Sequence, residues 1–123
     1  MNEQIKSYKD LVVWQKSLQL VKRVYELTRS FPADERFGLV SQMRRAAVSV
    51  PSNLAESHAR NTTGEFIQFI SHAEGSLAEL ETQGILATEL AFCPSAEAEP
   101  LHGSIQEIQK MANALRRSLA ARR

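Results

Sequence analysis

The stretch from Thr62 to Ala91 constrains the fold more tightly than any other. Phe66, Ile70, Ala73, Leu77, Leu80, Gly84, Ala87 and Ala91 recur at alternating spacings of four and three residues without a break. An α-helix at 3.6 residues per turn brings such positions onto one line, whereas a strand would put 66, 70, 80 and 84 on one face and 73, 77, 87 and 91 on the other. Thr62 and Glu65 precede the run at the Thr-x-x-Glu spacing of a capping box, so a helix is predicted over 63–91. Its apolar stripe begins bulky and ends small. Gly84, about 1 kcal/mol worse than alanine inside a helix, is expected where a second helix comes close.

Three further segments have the same period. Between 9 and 30, Trp14, Leu18, Val21, Tyr25 and Thr28 form one stripe, and Val13, Ser17, Leu20, Val24, Leu27 and Phe31 form a second beside it. Two adjacent stripes are wider than one bundle seam needs, and the surplus apolar width marks an assembly interface. Pro32 is expected to stop this helix. Between 36 and 60, Leu39, Met43, Ala46, Val50 and Leu54 keep the helical phase across Pro51, which points to one kinked helix and not two. Ser49, Ser52 and Asn53 flank the proline and are candidates for satisfying backbone groups that it frees. After the turn at Phe92–Cys93–Pro94–Ser95, with Ser95 the expected cap, Leu101, Ile105, Ile108, Ala112, Leu115 and Leu119 predict a helix over 96–121. Four long helices with short connections make an all-α, antiparallel up-down-up-down four-helix bundle, read as a single domain over 1–123.

Charge is distributed unevenly along this bundle. Residues 1–60 hold ten Lys and Arg against six Asp and Glu, residues 61–115 hold one Lys against eight Glu, and 116–123 add four Arg, for a net +1 overall. Such a polarised chain can pair its own halves or those of neighbouring copies, whereas a dedicated nucleic-acid binder more often has a net basic surface. The amino-terminal MNEQIKSYKDL is polar, and the longest aliphatic or aromatic run is LVVW at 11–14, far below the roughly 20 residues of a membrane span. One cysteine, Cys93, precludes an internal disulfide and suits a reducing compartment. A soluble cytoplasmic protein with no membrane partner is expected.

The chain offers little for catalysis. A di-metal carboxylate bundle needs a Glu-x-x-His pair on each of two helices, and only Glu99 and His102 have that spacing, flanking Pro100. There is no Gly-x-Ser-x-Gly elbow and no phosphate-cradling glycine loop. His58, His72 and His102 are scattered and read as surface or helix-end residues, and Cys93 as a neutral loop thiol. Trp14, on an apolar stripe, reads as core and not as a base-stacking platform. No enzymatic activity, metal or cofactor is expected.

The arginines are the candidate contact residues. Arg44 and Arg45 fall between Met43 and Ala46, at the edge of a packed face. They are suited to pair with Glu74, Glu79 or Glu81, within a subunit or across an interface. Equally, they can grip phosphates together with Arg36, Arg60, Arg116, Arg117, Arg122 and Arg123.

Three runs, DLVVWQK, RFGLVSQMRRAAVSVPSNLAE and GSLAELETQ, closely resemble the bacterial four-helix-bundle family first noticed as proteins encoded in intervening sequences of large-subunit ribosomal RNA genes; the likeness spans about residues 8–90. The resemblance implies an up-and-down bundle that assembles into a ring, typically a homopentamer, and connects the chain with the accessory proteins of diversity-generating retroelements. Those barrel-shaped pentamers bind nucleic acid and a reverse transcriptase through basic surfaces. Trp14, Arg44, Arg45, Pro51, Asn53, Glu56 and Arg60 are the family positions carried over. The chain departs from the family where Ser57 and His58 replace the usual glycine after Glu56, and in being near neutral. The expected function is therefore a non-enzymatic ring-forming binding or scaffold protein with RNA or DNA as its favoured partner. A structural or protein-partner adaptor without a nucleic-acid role is the alternative.

Overall fold

A computed structural model of the chain describes residues 7–122. Its main elements are α1 (Val12–Thr28), α2 (Leu39–His58), α3 (Thr63–Glu89) and α4 (Ser95–Ala121), with short 3-10 turns at Tyr8–Asp10 and Ala33–Glu35. The helices form a four-helix bundle. α1 packs on α2 and α4, and α3 packs on α2 and α4, while the diagonal pairs do not meet. Specific contacts set the register. Ser49 meets Ser76 and His58 meets Phe66 between α2 and α3; Glu74 meets Arg116, and Gly84 meets His102, between α3 and α4.

Each helix buries most of one predicted stripe, although Phe66 and Leu115 stay half-buried, Ala91 is exposed, and the second stripe of α1 stays nearer the surface. Leu20, Val24, Met43, Val50, Leu54, Ile70, Leu77, Leu80, Ile105 and Ile108 are fully buried. At about 25 cal/mol per Å² of apolar surface removed from water, these side chains supply most of the drive to fold. Of the polar residues inside, Ser17 donates to the Trp14 carbonyl at 2.6 Å and Ser57 to the Leu54 carbonyl at 2.7 Å, whereas Gln83 Oε1 is buried without a hydrogen-bond partner among the described residues. Ser57, at a position where the family resemblance leads one to expect glycine, thus lies buried in the last turn of α2. Gly84 is also buried, and a Cβ there would come within 2.9 Å of the His102 imidazole. The close approach to Gly84 is therefore made by a side chain of α4.

Several ends differ from those expected. α1 stops at Thr28, ahead of Pro32, which instead opens the 3-10 turn Ala33–Glu35. That turn delays α2 to Leu39, whose amide is capped by the Glu35 carboxylate at 3.1 Å. α2 then runs as one helix through the buried Pro51. Of the three polar neighbours, Ser49 donates to the Ala46 carbonyl at 3.0 Å and Asn53 to the Ser49 carbonyl at 2.8 Å, so neither reaches Ala47, whose carbonyl loses its partner at Pro51. Thr62 caps α3, its hydroxyl accepting from the Glu65 amide at 3.1 Å. α4 begins at Ser95 itself, with Pro94 as a cap that offers no side-chain bond.

α3 ends in an unusual way. Ala91 has φ +62°, and the Phe92 amide reaches back to the Ala87 carbonyl at 2.8 Å. This is the left-handed stop that glycine usually makes, and it turns Phe92 onto Phe31 with ring centroids 5.7 Å apart. The exposed end of the expected stripe thus serves as a cap. Cys93 beyond it is buried, and that burial raises its thiol pKa; a side-chain hydrogen bond with Thr88 opposes the shift and nearby Glu97 adds to it. A neutral thiol is what such surroundings favour.

Two stability predictions follow from this packing. Leu77→Ala, at a fully buried position, should cost about 2–5 kcal/mol in denaturant unfolding, whereas Leu86→Ala, on the outer face of the same helix, should cost less than about 1 kcal/mol. Ala91→Gly should stabilise the fold by up to about 1 kcal/mol, because glycine adopts the left-handed conformation without the Cβ clash; no gain in melting temperature would contradict this assignment.

Candidate functional site

The two stripes of α1 have different fates. Val13, Ser17, Leu20 and Val24 go into the core, whereas Trp14, Leu18 and Val21 stay half-buried and Tyr25 is exposed. Trp14 accordingly sits at the rim of the core, its ring edge-on to Tyr8 at 5.2 Å. This outer stripe forms one wall of a groove between α1 and α2. The other wall is Val48, Pro51, Ser52 and Ala55, and the trough has a volume of about 440 Å³. Val48 and Ser52 also line an adjoining trough of about 690 Å³ that reaches Tyr25, Val40 and Phe37. Phe37 projects from the loop before α2 and is 88% exposed.

Three of the predicted arginines gather at this second trough. Arg36, Arg44 and Arg45 all line it. Arg44 is held from several sides. Its Nε donates to the Thr28 hydroxyl at 3.0 Å, its guanidinium lies over the Tyr25 ring at 4.4 Å, and Thr28 in turn donates to the Val24 carbonyl at 2.7 Å. A planar cation stacked on an aromatic face and bonded to a buried hydroxyl is a tie between α1 and α2. It also contrasts with the expected pairing to a glutamate of α3. Arg45, one position on, is exposed and forms no ion pair among the described residues, although Glu79 faces the same polar cleft between α2 and α3. Arg36 stacks on Phe37 at 5.4 Å.

The remaining arginines lie away from the groove. Arg60 pairs with Glu56 one turn back and lies over Phe69 at 4.7 Å. Arg116 pairs with Glu74 at 2.6 Å, a carboxylate that Asn113 also contacts at 3.3 Å, which fixes α4 to α3. Arg117 is exposed without an ion pair among the described residues, Arg122 caps α4, and Arg123 lies outside them. Of the other family positions, Asn53 bonds within α2 and Pro51 lies in the α2 wall of the groove.

The histidines do not converge. His58 lies edge-on to Phe66 and His72 to Phe69, while His102 faces Gly84. Among the described residues no group of three His, Cys, Asp or Glu side chains is placed to hold a metal, and no helix is long and apolar enough to cross a membrane. Sequence reasoning missed Phe37 and Val48 as exposed apolar groups. The surplus stripe of α1 was the signal for half of the groove; Phe37 gave none, because a loop has no period.

The profile of the 23S rRNA-intervening sequence protein family matches residues 9–114, from the turn before α1 well into α4. Among solved structures, a protein of unknown function from the S23 ribosomal protein family of Bacteroides thetaiotaomicron VPI-5482 is similar with a TM-score of 0.76; the match covers 85% of this chain and 97% of that one at 21% identity. At that identity the likeness speaks for the fold. No curated protein matches the chain. With a profile match that takes in both walls of the groove and most of the bundle, the chain belongs to the 23S rRNA-intervening sequence protein family.

Proposed function

We propose that this chain is a non-enzymatic, cytoplasmic scaffold or binding protein that assembles into a ring of like copies through its α1–α2 groove. The observation that carries the reading is the outer stripe of α1: Trp14, Leu18, Val21 and Tyr25 continue onto Val48 of α2 as apolar surface that the bundle itself does not cover. Contiguous apolar surface rimmed by charge marks an interaction site, and large aromatic and arginine side chains dominate such contacts. In this reading the bundle is a single up-down-up-down domain. The register of Ser49 with Ser76 and of Gly84 with His102 supports that topology, and a bend at Pro51 shapes the α2 wall of the groove.

Nucleic acid is the proposed ligand of the cations that assembly leaves open. Arg117, exposed on α4 away from the groove, forms no ion pair among the described residues, in contrast to Arg60 and Arg116; Arg36 and Arg45, likewise without an ion pair there, line the groove that assembly covers. Phosphate is the group that such free guanidinium forks recognise best. The adaptor reading, with no nucleic-acid role, draws its support from the eight glutamates and one lysine of residues 61–115.

Val21→Glu should split the assembly while leaving the helical circular dichroism of the chain intact; an unchanged sedimentation coefficient would remove the groove from the interface. The arginine pair should separate by role. Arg44→Ala should lower stability by about 1–2 kcal/mol, through the lost Thr28 bond and Tyr25 stacking. Arg45→Ala should change the stability of the single chain by less than about 0.5 kcal/mol but weaken self-association, whereas Arg117→Ala should weaken binding to a short RNA and flatten its salt dependence by about one phosphate contact. No binding of RNA or duplex DNA by the unaltered chain, even at low salt, would favour the adaptor.

A further inference from the structure

We infer that copies of this chain join head to tail, the acidic apolar end of α3 from one copy seating in the basic α1–α2 groove of the next. The inference rests on the reading of the groove as an assembly surface and names what fills it. Three observations carry it.

The first is a second uncovered apolar surface. Ile85, Leu86 and Leu90 are 48%, 43% and 56% exposed in the last turns of α3. With Glu89 they make two adjacent i,i+4 columns, Ile85 with Glu89 and Leu86 with Leu90, so they form a ridge on the outer side of the helix.

The second is charge. Between 61 and 115 the chain holds eight Glu and one Lys, and neither Glu81 nor Glu89 forms an ion pair among the described residues. The groove holds Arg36, Arg44 and Arg45 with Lys22 further along, and Arg36 and Arg45 likewise have no carboxylate partner there.

The third follows from combining these. A symmetric pairing of groove with groove would set each cluster of arginines against its own copy, and ridge against ridge would do the same with glutamates. Like charges brought together in an interface cost several kcal/mol, whereas groove against ridge pairs opposite signs over apolar surface. Groove and ridge belong to different helices of one chain, so every copy offers both. A contact between unlike patches repeats from copy to copy until the rotation closes, which is how rings form.

A mixing experiment tests this directly. One variant has its groove blocked by Val48→Glu, and another has its ridge altered by Leu86→Lys with Leu90→Lys; all three sites are exposed, and circular dichroism checks the helicity of each variant. If the ridge variant does not fold, Leu86→Ser with Leu90→Ser replaces it. In sedimentation velocity each variant alone should self-associate at least about tenfold more weakly than the unaltered chain. An equimolar mixture should form complexes of two copies and no larger, because the intact ridge of the groove variant fills the intact groove of the ridge variant and the remaining ends are blocked. A mixture that stays monomeric, or a ridge variant that assembles like the unaltered chain, overturns the inference. If the ridge variant assembles normally while Val21→Glu does not, the groove remains an interface and only its occupant is wrong. If neither groove substitution disturbs assembly, both readings fall.

Discussion

A helix in a square bundle can bury one side, and α1 is apolar on more than one side. That mismatch is the constraint on which the rest of the structure turns. The stripe through Leu20 and Val24 reaches the centre of the core, so the stripe through Trp14, Leu18, Val21 and Tyr25 is left at the surface beside α2. α2 answers it with Val48 and Pro51 along the facing edge, and Arg44 closes the upper part by stacking on Tyr25 and bonding Thr28. A polar surface on α1 would leave the bundle just as well packed inside and remove the groove.

Much of the architecture is legible in the sequence, because what it depends on is local. A stripe at spacings of four and three residues needs no knowledge of its neighbours, and α3 shows this best: Ile70, Ala73, Leu77, Leu80, Gly84 and Ala87 are all buried as their spacing predicts. Ends and partners are harder, because they depend on groups distant along the chain. Thr28 and Arg44 stand sixteen residues apart on different helices, and no spacing rule joins them. Glu74 was as suitable for Arg44 or Arg45 as Glu79 or Glu81; the packing of α4 gives it to Arg116 instead. Ala91 completes the small end of a helical stripe in sequence, yet its backbone is left-handed, a conformation that alanine disfavours and the turn to Phe92 imposes.

The same geometry sorts the arginines. Six that look alike in sequence divide into Arg44, Arg60 and Arg116, whose guanidinium groups are engaged within the chain, and Arg36, Arg45 and Arg117, which form no ion pair among the described residues. A cation tied to its own fold mainly contributes rigidity, whereas one with free donors is available to an outside anion. The free pair Arg36 and Arg45 stands next to exposed Phe37, so the most available charge and the most exposed aromatic ring share one edge of the groove. Aromatic and arginine side chains in one place are what protein interfaces concentrate at their centres.

Other copies of the chain are proposed to cover the apolar face left over by α1. The most direct test is the molar mass in solution, from light scattering on a size-exclusion column at concentrations from about 1 to 100 µM, a range in which interfaces of ordinary affinity are populated. The expected mass is several times the 13.8 kDa of one chain. A mass of 13.8 kDa at every concentration would contradict such coverage.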